Sequence, residues 1–218
     1  MHAADHCRPG TSGKGESRRL KRCSSSPWAG FKLVPRGTLP SFYTQAGNTS
    51  VFHGWETPAK VLTPLYKVFG AFDLDPCSPT ASRRRASVRA RVHFTPEDDG
   101  LSLSWNGTVF VNPPYGRELP KWVHKARTEA EQGSATTVAA LVPARTDTAW
   151  WHDHVTGHAD VFLLRGRLRF GDGKQSAPFP SALCVWGATD KTRAQLKAVF
   201  PSASHLPPRP ETSLEGPS

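Results

Sequence analysis

The sequence lacks any apolar run long enough to cross a bilayer or to form the core of a signal peptide, which leaves no indication of a membrane partner. It has only four cysteines in 218 residues and no Cys-x-x-Cys pair, so neither a zinc site nor a disulfide framework is indicated. We therefore expect a protein that binds no metal. Its expected setting is the reduced environment of a cytoplasm.

Acidic residues are scarce relative to basic ones, and the net charge is +10. Residues 1–50 contribute +6 of this charge, residues 51–200 contribute +5 and residues 201–218 contribute −1. A basic surface of this kind favours a polyanionic partner, most simply nucleic acid.

Apolar periodicity is missing at both ends of the chain. Residues 1–50 are rich in Gly, Ser, Pro and basic residues, which is typical of a disordered basic tail. Residues 51–200 carry the apolar patterns expected of one folded domain. Residues 201–218 again consist mainly of Pro, Ser and Glu and are predicted to form a second disordered tail.

Within the folded part, short β-branched or aromatic runs alternate with helical patterns. Thr57 and Pro58 resemble a helix N-cap and first helical residue, Pro64 should kink or split that helix, and two runs around Gly166 should form a hairpin or one bent strand. The predicted strands are 71–74, 92–94, 108–112, 136–142 and 182–186, and further helices are predicted at 120–132, near 150 and at 190–200. This alternation predicts a three-layer α/β fold with a mostly parallel sheet.

The 20 prolines mark where strands end. The run Thr108–Val111 suits a buried strand, and it must stop at Asn112-Pro113-Pro114-Tyr115 because proline has no N–H for a sheet ladder. Asp75-Pro76 ends an earlier strand in the same way. If the two strands are parallel neighbours, both exits open on one crevice, which is where α/β sheets bind ligands.

The residues that follow the strand Thr108–Val111 suit the binding of an amino group attached to an aromatic ring. The side-chain oxygen of Asn112 and the carbonyl of Pro113 can accept its two hydrogens, which shifts the nitrogen towards a reactive geometry. Pro113 and Pro114 fix the carbonyl direction, and Tyr115 can stack on the ring. A base in a duplex would have to be flipped out to reach this clamp.

These residues belong to a set of motifs that resembles the phage-type DNA N6-adenine methyltransferase (Dam) family across residues 52–187. The motifs are Trp55-Glu56-Thr57-Pro58, Phe72-Asp73-Leu74-Asp75-Pro76, Glu97-Asp98-Asp99-Gly100-Leu101 with Trp105, Asn112-Pro113-Pro114-Tyr115-Gly116, Trp122-Val123, Pro143-Ala144-Arg145-Thr146-Asp147-Thr148, Gly166-Arg167-Leu168 with Phe170, and Ala177-Pro178-Phe179-Pro180-Ser181. The order of the whole set is far more specific than the Asn-Pro-Pro-Tyr motif alone.

The resemblance implies a Rossmann-like fold that binds S-adenosylmethionine (SAM) and methylates adenine N6 in DNA, in the cytoplasm of a host cell if the chain is phage or prophage encoded. The implied catalytic residues are Asn112, Pro113, Pro114 and Tyr115. The implied SAM-binding residues are Thr57, Pro58, Asp75, Pro76, Cys77 and one of Asp98 and Asp99, with Asp99 preferred. Restriction–modification is the associated role.

The chain departs from the wider superfamily after the Asp75 strand, where Cys77-Ser78-Pro79-Thr80-Ala81 replaces a Gly-x-Gly loop. The residues that line the SAM ribose therefore stay open. No large inserted recognition domain is visible, so DNA contacts are assigned to exposed arginines on three segments. These are Arg83, Arg84, Arg85, Arg145, Arg165 and Arg167.

Three alternatives remain at this point. In the first, the same motif methylates a glutamine side chain of a protein. In the second, it methylates RNA. In the third, the altered loop has removed turnover and the chain is a non-catalytic DNA-binding relative.

Overall fold

The computed structural model describes residues 56–79, 86–170 and 176–209. The predicted tail at 1–50, residues 51–55, residues 80–85 and the end of the chain after 209 lie outside these described residues. The helices are α1 (Ala59–Phe69), α2 (Leu119–Glu131), α3 (Ala149–His154) and α4 (Asp190–Val199). The strands are β1 (Phe72–Asp75), β2 (Ala90–His93), β3 (Asn106–Val111), β4 (Ser134–Pro143), β5 (Asp160–Leu163), β6 (Ser181–Trp186) and β7 (Ser204–Leu206).

The seven strands form one mixed sheet in the order β2-β1-β3-β4-β6-β5-β7. The pairs on the β2 side of β4 are parallel, and the pairs from β4 through β6 and β5 to β7 are antiparallel. The expectation of a mostly parallel sheet is thus met only in the half that contains β1 and β3. All six residues of β6 are buried, and a strand buried on both faces shows the same apolar run in either direction.

Helices cover both faces of the sheet, which gives the three layers that were predicted. Two separate groups of buried side chains lie on the two faces. One includes Val61 and Leu65 of α1 together with Leu196 of α4, and the other includes Trp122 of α2 and Trp151 of α3. The sheet is therefore buried on both sides, and ligands reach it at its edges.

Helix α1 differs from its predicted form at its beginning and at Pro64. Pro58 is the N-cap residue and has extended backbone angles, and no side chain caps the helix. Thr57 is instead buried, with its hydroxyl turned to Asn112. Pro64 lies inside one continuous helix from Ala59 to Phe69 and does not split it.

Two further expectations about the C-terminal half are wrong. Residues 204–206 are not part of a disordered tail, because they form β7 and pair with β5. His205 Nε2 lies 2.7 Å from Asp160 Oδ1, and the Arg193 guanidinium also contacts this buried carboxylate. The runs flanking Gly166 do not form a hairpin with each other, since β5 ends at Leu163 and Arg169 instead bridges to Ser176.

Candidate active site

The exits of β1 and β3 lie side by side, as the motif argument requires. The two strands are parallel neighbours, with Leu74 opposite Val109. Asp75 is the last residue of β1, and Asn112 directly follows the last residue of β3. Both residues therefore lie at the carboxyl edge of the sheet.

The amide of Asn112 is held from two sides. Its Nδ2 donates to the Thr57 hydroxyl at 3.1 Å, which links the clamp to the segment that precedes α1. Its Oδ1 accepts from the Tyr115 hydroxyl at 2.8 Å. An amide oxygen has two lone pairs and can accept hydrogen bonds from two donors.

Tyr115 is fixed by its hydroxyl and by two aromatic neighbours. The hydroxyl also lies 3.0 Å from the Leu141 carbonyl on β4. The ring meets Phe170 and Phe179 at nearly perpendicular angles, with centroids 6.1 and 5.3 Å away. Burial raises the pKa of the Tyr115 hydroxyl well above its ordinary value, so the group remains a protonated donor at neutral and moderately alkaline pH.

Asp75 is a buried carboxylate whose two oxygens face different neighbours. Oδ1 accepts from the Cys77 backbone N–H at 3.3 Å, and Oδ2 lies 3.5 Å from His93 Nδ1. The Cys77 thiol lies between the two strand exits, 3.9 Å from Asp75 Oδ1 and 3.2 Å from the Asn112 carbonyl oxygen. Burial and the neighbouring Asp75 charge raise the pKa of this thiol well above its usual range, so it stays protonated.

The acidic turn after β2 packs against the exit of β1. A Cβ placed on Gly100 would lie 1.9 Å from the Pro76 carbonyl oxygen, so the two backbones approach as closely as only glycine allows. Asp98 accepts from the Thr95 N–H and hydroxyl, and these bonds lower the pKa of its carboxyl group. Asp99 is exposed and has a positive φ of 51°. Both predicted acids thus lie in the turn that packs on Pro76.

The amino-acid sequence is similar to those of known proteins. The family profile described as DNA N-6-adenine-methyltransferase (Dam) matches residues 47–193, about two thirds of the chain. The chain belongs to the Dam family. A curated relative, the DNA N-6-adenine-methyltransferase of Escherichia phage T1, is 27% identical over 140 residues. That match covers 63% of this chain and 56% of the phage protein, so the chain spans little more than half of that relative's length.

The arginines assigned to DNA are dispersed over the Dam-family domain. Arg145 follows β4, and Arg165 and Arg167 follow β5; all three side chains are exposed. The cluster 83–85 lies outside the described residues. The assignment of these three arginines to DNA remains a prediction.

An open depression of about 460 Å³ lies beside α1 rather than between Asp75 and Asn112. Its lining includes Thr57, which contacts the clamp, and the basic residues Lys67 and Arg89. The Arg89 guanidinium carbon lies 5.0 Å from the Tyr66 ring centroid, so this cation is stacked on an aromatic face.

Sequence reasoning missed three residues near the site of this Dam-family chain. Phe170 and Phe179 stood in the recognised motifs, but nothing in the local pattern indicated that both would flank Tyr115. His93 was placed within the short predicted strand 92–94 but was given no role, and its position against Asp75 follows from the parallel register of β1 and β2.

Two general findings concern the described residues alone. Among them, no helix is long and apolar enough to span a membrane. The same residues contain no group of three or more His, Cys, Asp or Glu side chains that could hold a metal ion. Cys77 and Cys184 are free thiols.

Proposed function

We propose that this chain transfers a methyl group from SAM to the N6 amino group of adenine in DNA. The observation that carries the proposal is that Asp75 and Asn112 lie at the same carboxyl edge of two neighbouring parallel strands in a Dam-family chain. On this proposal the domain is a Rossmann-like methyltransferase, and the antiparallel β4–β6–β5 half completes its sheet. Similarity to the DNA N-6-adenine-methyltransferase of Escherichia phage T1 supports the same activity.

The residues around the β1 exit fit a nucleoside-bearing methyl donor. Asp75 offers carboxylate oxygens, and the exposed Asp98 and Asp99 lie in a turn that packs on Pro76. Acidic side chains can accept hydrogen bonds from hydroxyl and amino groups. Thr57 and Pro58 precede α1, whose first N–H groups suit a carboxylate. When bound, SAM supplies an activated methyl group.

The clamp orients the acceptor. In our proposal the Asn112 side-chain oxygen and the Pro113 carbonyl oxygen accept hydrogen bonds from the two amino hydrogens of adenine and hold them out of the ring plane. The nitrogen lone pair is then less delocalised into the ring, which makes the nitrogen more nucleophilic. Thr57 and Tyr115 keep the Asn112 amide in one orientation, because each binds one end of it. Pro114 stiffens the backbone, and the Tyr115 ring contacts the flipped base. The protein therefore contributes mainly alignment.

The first prediction tests this proposal by following labelled methyl groups. The purified chain is incubated with SAM carrying a tritiated methyl group and with genomic DNA free of N6-methyladenine. We expect label in the DNA and N6-methyl-2′-deoxyadenosine as the labelled nucleoside after enzymatic digestion. Asn112→Ala should lower the rate by roughly a hundredfold or more, the usual cost of removing a polar group that stabilises a transition state.

The control for Asn112→Ala is its thermal midpoint and its DNA affinity, and we expect both to stay close to the wild-type values. Label found in RNA or in a protein glutamine instead of DNA would show that the proposed substrate is wrong. A wild-type chain that binds SAM and DNA but transfers no methyl group would be a non-catalytic relative.

A further inference from the structure

His93 is buried at the candidate donor site without a satisfied ring nitrogen. Its side chain is 2% exposed, and neither Nδ1 nor Nε2 has a hydrogen-bond partner among the residues described. Leaving such groups unpaired destabilises the folded protein, because the desolvation of each group is not compensated. Buried polar atoms without partners are uncommon in folded proteins and call for a reason.

The position of His93 supplies that reason. It pairs in register with Asp75, and these two residues are the last of β2 and β1. Its Nδ1 lies 3.5 Å from Asp75 Oδ2, about half an ångström beyond an ordinary hydrogen bond. The other carboxylate oxygen is already engaged by the Cys77 backbone N–H.

We propose that His93 is a positioning residue for Asp75, and that its Nδ1 hydrogen bond to Oδ2 closes when the methyl donor binds. This inference rests on the proposed function, since it assigns Asp75 to the donor site. A donated hydrogen bond on Oδ2, added to the one on Oδ1, leaves the carboxylate a single orientation towards the ligand. The His93 imidazole, which has no hydrogen-bond partner among the described residues, then gains one at Nδ1 when SAM is bound.

The second prediction separates the two ring nitrogens with two amide variants. In His93→Asn the amide stands near the place of Nδ1, whereas in His93→Gln it stands near the place of Nε2. We expect His93→Asn to bind SAM within about threefold of the wild type. His93→Gln should bind about tenfold more weakly, the effect of losing one hydrogen bond to a charged group. Calorimetry with SAM, in the absence of DNA, measures both affinities.

A spectroscopic readout accompanies the affinities and does not depend on any variant. In the wild-type chain, the ¹⁵N chemical shift of His93 Nδ1 should move on SAM addition towards that of a hydrogen-bonded N–H. The control is His205, whose Nε2 already lies 2.7 Å from Asp160. Its ring nitrogen signals should not move, and His205→Asn should lower the thermal midpoint without changing the SAM affinity.

Three results would overturn the assignment of His93. They are a His93→Gln variant as tight as the wild type, a His93→Asn variant as weak as His93→Gln, and a His93 signal that SAM leaves unchanged. A wild-type chain that binds no SAM at all is a different result, because it overturns the proposed function itself.

Discussion

At the scale of single residues, the sequence proposes which residues form the clamp but does not indicate which contacts fix their side chains. Asn112 and Tyr115 lie three positions apart in the chain, and their motif predicted a hydrogen-bonding amide followed by a stacking ring. The contacts from Thr57 and from the Leu141 carbonyl join positions 55 and 26 residues apart. Such long-range contacts depend on how the strands are ordered, which local patterns do not encode.

The third prediction belongs to the Tyr115 hydroxyl. Tyr115→Phe removes the hydroxyl that lies within hydrogen-bond distance of Asn112 Oδ1 and of the Leu141 carbonyl oxygen but keeps the ring next to Phe170 and Phe179. We expect turnover to fall about tenfold, because losing one hydrogen bond costs about 1.5 kcal/mol, with little change in the KM for DNA. Steady-state kinetics on methyl-free DNA measures the two constants separately.

Tyr115→Ala serves as the comparison for the ring itself. It should raise the KM for DNA more than it weakens SAM binding, because stacking on a base is worth roughly 1–3 kcal/mol. A Tyr115→Phe variant with full turnover would show that the hydroxyl does not contribute to the clamp. The opposite ranking of the two affinities in Tyr115→Ala would remove the ring from base capture.

At the scale of elements, prolines and glycines carried most of what could be predicted. They placed the exits of β1 and β3, and Gly70 was expected to close α1, which ends with Gly70 as its C-cap. Strand direction was not predictable for β6, since all six of its residues are buried and the strand shows no alternation of buried and exposed positions. Strand β7 was missed because it has only three residues. Ser204 and Leu206 are exposed, and only one of the three side chains is apolar.

The fourth prediction concerns the turn that joins β2 to β3. Gly100→Ala would place a Cβ against the Pro76 carbonyl oxygen, so the turn must move away from the β1 exit. Overpacking of this kind costs about 1–3 kcal/mol, and we expect the thermal midpoint to fall by several degrees. Because Asp98 and Asp99 move with the turn, SAM affinity should fall as well.

Gly70→Ala is the matched control for this change. Gly70 has a φ of 70°, but a Cβ there would meet nothing within 4 Å. Its cost is therefore backbone strain of about 1–3 kcal/mol, which lowers the midpoint without touching the site. If Gly100→Ala destabilised the fold and still bound SAM like Gly70→Ala, the turn would have no part in donor binding.

At the scale of the whole molecule, charge and family describe different parts of the chain. The family match covers residues 47–193, where the predicted clamp and the α/β layers lie. Most of the basic excess precedes it, since residues 1–50 carry +6 of the net +10. Composition predicted this division, but it could not predict that the sheet would continue to Leu206, because one edge strand changes composition very little.

The fifth prediction tests whether the N-terminal charge serves DNA binding. Deleting residues 1–45 removes eight Lys and Arg residues and two acids. We expect weaker DNA affinity at low salt and a shallower slope of log affinity against log salt. The slope can change by up to about 7 if all eight cations contact phosphates, at about 0.9 per contact. Fluorescence anisotropy across a salt series measures it, with SAM affinity and thermal midpoint as controls. Both controls should match the full chain, because the described domain begins after the deletion; a truncated chain that unfolds would instead make this segment part of the core.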